Sequence, residues 1–462
     1  SLLAGRAQSL EELVVARAVQ AVGGGALVPV ATAAASHLFE GALRPRALGV
    51  VGALTFLGMA AGPFAGAAIL GSFHPEVVLA RLDGSTAVDS ALADILAPAW
   101  RWVFYVNVPV GIVALLLGWA ASSGWETPRR LVRVDVPGAV LFSVALAAGL
   151  AGLTLLGTTD PVLGVEAGPV TLGLAVAAVL ATSLAIVRGL AIAEPFLDPR
   201  LFRLLPFASA ALVSLLTGYA LATAIVGGAV FVDRVLYGGP DDQRLALGAL
   251  AGATAVGALV SGFVVRVLSL RLVTLLGLAA AALGLFRMAA WTPDTTIVEV
   301  AVWLAVFGLG FGLTVTPRST AAVEAAGRAA FGIASATVTV ARMVGMAIGL
   351  AILTAYGSTT IDRLYDEVYA TPDAYRQFIP AALRERPLND GQVVEALERW
   401  AAGEAARIMV GIVVVAAALT LVAVVPALAL ERSRRMLAAS QPGTETLDGA
   451  QRGDPGEPTL AL

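Results

Sequence analysis

Ser335, Thr339, Arg342, Met346 and Gly349 recur at spacings of four, three, four and three residues, which places them on one stripe of a single helix. The sequence around them is apolar enough to lie in a bilayer, and Arg342 has no acidic neighbour in that helix. A permanent charge at such a depth costs several kcal/mol and usually faces a cavity or the protein interior. Arginine does not release its proton readily, so the chemistry open to this stripe is electrostatic: binding or gating by charge. The competing reading is a guanidinium paired with backbone carbonyls that pins two helices together.

A second cation, Arg17, shares a helix face with Gln20 at i,i+3, just before Gly23–Gly25. Arg17 could line a transport path or snorkel to the surface from the nearby outer end of its span. Gly58, Gly62 and Gly66 fall at i,i+4, where small residues let two helix backbones approach. Pro63 inside that ladder removes one backbone donor and permits a bend, so the segment reads as a tight crossing or a flexing hinge. Ser214, Thr217, Tyr219, Thr254 and Ser261 could add polarity to a cavity, although hydroxyls in such helices usually bond their own backbone. Arg287 lies nearer an outer end and reads as a snorkelling residue.

These residues must be held by membrane helices. Hydrophobic residues form 58% of the 462, and the mean hydropathy is +0.85. That excludes a set of soluble domains. Spans of roughly twenty apolar residues are predicted near 17–39, 48–71, 101–121, 136–157, 168–190, 207–232, 245–265, 272–291, 297–316, 331–356 and 406–430. In lipid such runs become helices, so the fold class is all-α and polytopic. Arginine marks one set of loops (Arg44 and Arg46; Arg129, Arg130 and Arg133; Arg200 and Arg203; Arg266 and Arg271; Arg318 and Arg328; Arg432, Arg434 and Arg435), and acids mark the alternate set, among them Asp160, Glu166, Asp241, Asp242 and Asp294. The arginine side is cytoplasmic, with the C-terminus inside. Tryptophans 100, 102, 119, 125, 291 and 400 sit at span ends, as an aromatic belt requires. Residues 72–100, with Asp83, Gly84 and Asp89, form an ordered outer loop; in 358–403, Asn389 or Asp390 caps a helix bearing Glu395 and Arg399 that runs into the last span. The tail beyond 435 is polar and Pro/Gly-rich, hence disordered. Val22–Ala34 resembles Gly310–Ala322, and each precedes a basic loop and a Gly-rich span, a faint repeat of the kind from which transporters build paired bundles.

Cysteine is absent, His37 and His74 are the two histidines and sit at helix ends, and every basic residue is arginine. No metal site, thiol or Schiff-base chemistry has its residues here, no cofactor is expected, and the net charge of −3 gives no reason to invoke nucleic acid. Catalysis finds no cluster of acids or histidines in the spans, a channel would need a continuous polar lining, and a receptor would need a sizeable cytoplasmic domain. Glu299 and Asp233 lie at outer ends and no span carries an acid at its centre. Proton coupling needs a titrating group, so either the carboxylate lies in helices absent from this sequence or proton exchange is not the mechanism. The chain shows neither an initiating Met nor a signal peptide and reads as one cut before its first helices.

The motifs resemble the 14-helix drug:proton antiporter branch of the major facilitator superfamily. Leu13, Arg17, Gln20 and Gly23–Gly25 match its fourth-helix motif, and Gly58, Gly62, Pro63 and Gly66 its antiporter motif in helix five. Trp100, Arg101, Trp102, Phe104, Asn107, Pro109 and Gly111 match its sixth-helix entry, Asp135–Gly138 its seventh, and Glu194 to Arg203 the linker before helix nine. The resemblance implies a major facilitator fold with about eleven helices present (family helices four to fourteen). It divides the chain into the rest of an N-terminal bundle over 1–121, two extra linker helices over 122–206, a six-helix C-terminal bundle over 207–435 with a periplasmic loop at 358–403, and the tail 436–462. The function it implies is export of hydrophobic or amphipathic molecules from a bacterial inner membrane by alternating access, coupled to protons. Gly332–Ala336 with Val340–Met343 and Gly345, Met346 and Gly349 is similar to the mycobacterial exporters of drugs and triacylglycerol that work with a periplasmic lipoprotein. An arginine like Arg342 is implicated in transport there. This sequence departs from them at Phe56, Gly227 and Ala229, where acids would fall.

Overall fold

Apolar runs of this length close their hydrogen bonds within themselves, and ten helices among the described residues are long and apolar enough to cross a membrane. The structure, a computed structural model, describes residues 1–41, 43–72, 96, 98–122, 135–155, 167–327, 330–371, 373–387 and 389–431. The outer loop with Asp83, Gly84 and Asp89, the arginines at 129, 130, 133, 328, 432, 434 and 435, Trp125, Asp160, Glu166 and the tail lie outside the described residues, as does the side chain of Pro63.

All regular structure among the described residues is helical. A short α1 (Leu2–Arg6) precedes α2 (Leu10–Leu38) and α3 (Leu43–Ser72). Then come α4 (Ala99–Tyr105) and α5 (Asn107–Ser122), the pair α6 (Val136–Leu155) and α7 (Ala167–Ala191), and a bundle of six: α8 (Leu205–Arg234), α9 (Pro240–Val264), α10 (Leu270–Met288), α11 (Ile297–Ala326), α12 (Phe331–Tyr369) and α13 (Gly391–Val422), with α14 (Val424–Ala427) completing it. Ser9, Ser269, Thr296 and Asp390 cap α2, α10, α11 and α13 by accepting from the orphan N–H groups of the first turn.

Within the bundle α11 lies between α9 and α10, and α8 lies along α12. Glycine sets these crossings. A Cβ at Gly312 would strike the carbonyl of Thr254, and one at Gly345 the carbonyl of Leu215, so backbone packs directly on backbone. One core, built around Phe231, Leu250, Leu285, Phe307 and Phe311, also takes in Phe56 from α3. By contrast α5 buries none of its side chains among the described residues. A helix apolar all round reads as a membrane span.

The α6–α7 pair is fastened by Asp135. Its carboxylate accepts from the Gly138 N–H at 3.0 Å, from Arg188 Nε at 2.8 Å and from the Phe196 N–H at 3.2 Å. Desolvation works against the charge on Asp135, yet these donors outweigh it and hold its carboxyl below the usual range. The anchor ties the start of α6 to the end of α7 and to the linker into α8, and α6 in turn packs on α12.

Several helices run beyond the expected spans, among them α2, which begins at Leu10 and not at 17, and α3, which begins at Leu43 and not at 48. Span nine runs past 316 to Ala326 through Pro317, because a proline inside a membrane helix is tolerated where neighbours satisfy the freed carbonyl. The helix expected to end at 356 continues to Tyr369, whereas the helix expected after 389 begins at Gly391 and runs into the last span as the sequence indicates. The expected cap at Asp390 and the Glu395–Arg399 pair (2.7 Å) are both present.

Candidate functional site

α2 packs on α12 and α3 on α11, and α2 and α11 each carry a proline inside the helix. Pro29 in α2 and Pro317 in α11 occupy equivalent positions in the Val22–Ala34 and Gly310–Ala322 repeat. Between the four helices lies a cavity of about 40 Å³. It is lined by Val28 and Thr32 from α2, Val51, Thr55 and Phe56 from α3, Val315, Arg318 and Ser319 from α11, and Ser335, Thr339 and Arg342 from α12. One water needs roughly 10–15 Å³ of such space, so the cavity admits a few waters or one small group.

Arg318 corrects the sequence reading. It was expected in a basic cytoplasmic loop with Arg328; it lies within α11 and is 2% exposed. The helix continues past Pro317 and carries the guanidinium inward. There it donates to the Thr217 hydroxyl on α8 and stands 5.0 Å over the ring of Phe311. Arg342 stands 5.6 Å over the ring of Phe56. Phe56 and Phe311 meet edge to face at 5.6 Å, completing a row of cation, ring, ring, cation across the seam. The two guanidinium groups are near enough to interact through their charges. Among the described residues neither has an acidic partner, and Arg342 Nε has no hydrogen-bond acceptor. Cation–π contacts of about 0.5–2 kcal/mol each only partly offset the cost of charge at this depth.

The turn bearing Arg342 is held rigidly from behind. Gly218 on α8 lies against the Arg342 carbonyl, leaving no room for a side chain there. Ser335 reaches from α12 to the carbonyl of Pro29 on α2 at 3.4 Å. Thr339 bonds its own helix at Ser335 O, 2.9 Å away.

Ser335, Thr339 and Arg342 are thus gathered at one cavity. Met346 is not among its lining and packs instead against the main core, one turn farther along α12. Arg17 and Gln20 pair at 2.8 Å, and Gln20 reaches Ser1 at 2.7 Å. Arg17 is exposed, 5.7 Å over Phe104, and Val28 is the first α2 residue at the cavity, about 16 Å along the helix axis. Gly58, Gly62 and Gly66 have no described neighbour within 4 Å of where a Cβ would stand; the close contact of α3 is earlier, at Gly49 against Gly262 of α9. The hydroxyls of Ser214, Thr217, Thr254 and Ser261 donate to carbonyls of their own helices. Arg287 pairs with Glu299 at 3.6 Å and covers Trp303, at the end of its span. Sequence reasoning missed Arg318, Phe56 and Phe311 as one group; the signal was the Pro29–Pro317 equivalence, which places the residue after each proline inside a helix.

The model of the Major Facilitator Superfamily matches residues 1–350. The chain belongs to this superfamily. It is an integral membrane protein of a transporter family, built from helices alone among its described residues. It is 32% identical over 389 residues to a triacylglyceride transporter of Mycolicibacterium hassiacum, covering 82% of this chain and 68% of that protein. It is 33% identical over 374 residues to a triacylglyceride transporter of Mycolicibacterium smegmatis, covering 77% and 61%. A triacylglyceride transporter of Mycobacterium tuberculosis is 30% identical over 380 residues, covering 77% and 65%. The chain therefore spans about two thirds of the length of these relatives.

Proposed function

We propose that this protein exports water-insoluble acyl lipids across a bacterial inner membrane by alternating access. The observation that carries the reading is a second, apolar cavity of about 700 Å³ between α8, α12 and α13. Leu353, Leu364 and Val368 of α12 and Trp400, Ile408 and Ile412 of α13 line it, with Arg234, Glu398 and Glu404 among the polar lining. It follows α12 and α13 beyond the predicted end of the α12 span, and its size is that of a site for a mid-sized apolar ligand. The names of the relatives support lipid over multidrug export as the main activity.

In this reading the arginine-bearing loops and the C-terminus face the cytoplasm, and the small cavity at Arg342 is the path in its closed form on that side. Opening separates α2–α3 from α11–α12, Arg342 binds or gates through charge, and Gly58, Gly62, Pro63 and Gly66 let α3 bend. Arg17 and Gln20 would line the path nearer the outside. Protons are the coupling ion, and a periplasmic lipoprotein collects cargo at the projecting ends of α12 and α13.

The test is transport by the full-length protein in proteoliposomes of a fluorescent acyl lipid and of a cationic dye, with and without a pH gradient, beside Arg342→Ala. Gradient-driven lipid transport that falls at least tenfold in the variant is expected. Movement of the dye alone would restore multidrug efflux as the primary activity. Movement of neither would end the exporter reading.

A further inference from the structure

We propose that Tyr237 sets the specificity of the cavity between α8, α12 and α13, its phenol donating a hydrogen bond to the carbonyl of one acyl ester of the cargo. The inference rests on the acyl-lipid export reading and names the contact that tells an ester from a bare hydrocarbon chain.

Backbone conformation comes first. Tyr237 follows the end of α8 with a φ of 50°, and among the described residues it is the one non-glycine residue in the left-handed region. The turn closes as the Gly238 N–H donates to the Val232 carbonyl at 2.8 Å, the pattern of a helix cap whose left-handed position glycine usually fills. A residue with a Cβ is strained there, and strain of this kind collects at ligand clamps, where a side chain is needed in one place. The ring of Tyr237 forms part of the cavity wall and is 61% exposed.

The phenol already holds a carbonyl at the edge of that cavity. It donates to the Glu398 carbonyl on α13 at 3.2 Å, and Glu398 belongs to the same wall. Glu398 lies inside α13, where its carbonyl also accepts from the N–H four residues on. The phenol can therefore leave it without stranding a polar group. An ester carbonyl is an acceptor of the same kind and takes its place.

Charge and size choose the head group. Glu398 and Glu404 stand in the polar lining beside Arg234, which already pairs with Asp233 at 2.9 Å. A carboxylate head would meet two acids, whereas a neutral ester carries no charge for them to repel. About 700 Å³ takes a mid-sized apolar ligand, which is room for an ester group and its chain.

The test uses the full-length protein in lipid nanodiscs, with radiolabelled methyl hexadecanoate and hexadecyl methyl ether. These probes match in chain length and differ in the carbonyl, and binding to empty discs is subtracted. The ester should bind about three- to tenfold tighter than the ether, the worth of one neutral hydrogen bond. Tyr237→Phe should erase that preference and leave ether binding unchanged. Tyr237→Gly, which relieves the backbone, should also erase it and melt no lower than Tyr237→Phe. Equal binding of the two probes to the wild type overturns the proposal, and so does a preference that survives Tyr237→Phe. A Tyr237→Gly protein melting several degrees below Tyr237→Phe shows that the ring serves the fold, which overturns it too. Any of these failures beside intact gradient-driven lipid transport sinks this inference alone. Ester preference with no lipid transport keeps the contact and removes the exporter reading.

Discussion

Thr217→Val isolates the one hydrogen bond recorded for the most deeply buried charge in the bundle. Thr217 and Arg318 are 1% and 2% exposed, so water cannot replace the lost partner. Valine matches threonine in shape, which keeps α8 packed and confines the change to the hydroxyl. That hydroxyl also donates to the Val213 carbonyl at 2.6 Å, but a helix carbonyl there already accepts from the backbone, so the orphan created is the guanidinium. A hydrogen bond to a charged group is worth about 1.5–3 kcal/mol, which at about 1.4 kcal/mol per tenfold is roughly a 10- to 150-fold shift in the unfolding equilibrium. Titration into a denaturing detergent, followed by far-ultraviolet circular dichroism and checked for reversibility, measures it. Thr217→Ser keeps the acceptor and should recover most of the loss. A Thr217→Val protein as stable as wild type within about 0.5 kcal/mol would show that Arg318 is not held at α8, and the cation–ring row across the seam would lose its anchor.

Gly345→Val should abolish folded protein on size exclusion, since its side chain meets the Leu215 carbonyl, while Gly58→Ala and Gly62→Ala should leave stability within about 0.5 kcal/mol and slow turnover if α3 bends there. The Asp135 anchor is fully formed above the ordinary carboxyl value of 3.8 and is lost as pH falls through its lowered folded-state value; hydrogen exchange in the 192–198 linker should therefore rise steeply only below that pH, and Asp135→Asn should flatten the dependence. Asp390→Ala removes the acceptor for the Gln392 N–H at 2.9 Å and should cost about 0.5–2 kcal/mol, read as faster exchange confined to the first turns of α13.

Helix existence was legible because a twenty-residue apolar run has one way to satisfy its backbone in lipid. Arg342 was legible because its stripe holds the only central charge of an otherwise apolar helix. Arg318 was not, because Pro317 before it reads as a stop in water, whereas in a packed bundle neighbours supply what the proline removes. The aromatic partners were invisible for a different reason. Phe56 and Phe311 lie 255 positions apart, and apolar residues in apolar helices carry no periodic signal of which ring will meet which charge. The Gly58–Gly66 ladder illustrates the converse: spacing proposes a contact face, but the close crossing of α3 falls at Gly49.

α12 is 39 residues long and α13 is 32. At 1.5 Å per residue the former reaches about 58 Å, nearly twice the hydrocarbon thickness. Beyond the end of α12, Tyr375, Ile379 and Val393 knit the segment between them into a small core of its own. Such stiff masts turn a modest tilt at their base into a large swing at the tip: ten degrees about the level of Arg342 moves Tyr369 by roughly 7 Å. A spin label near that tip would read any such tilt without touching the membrane interior.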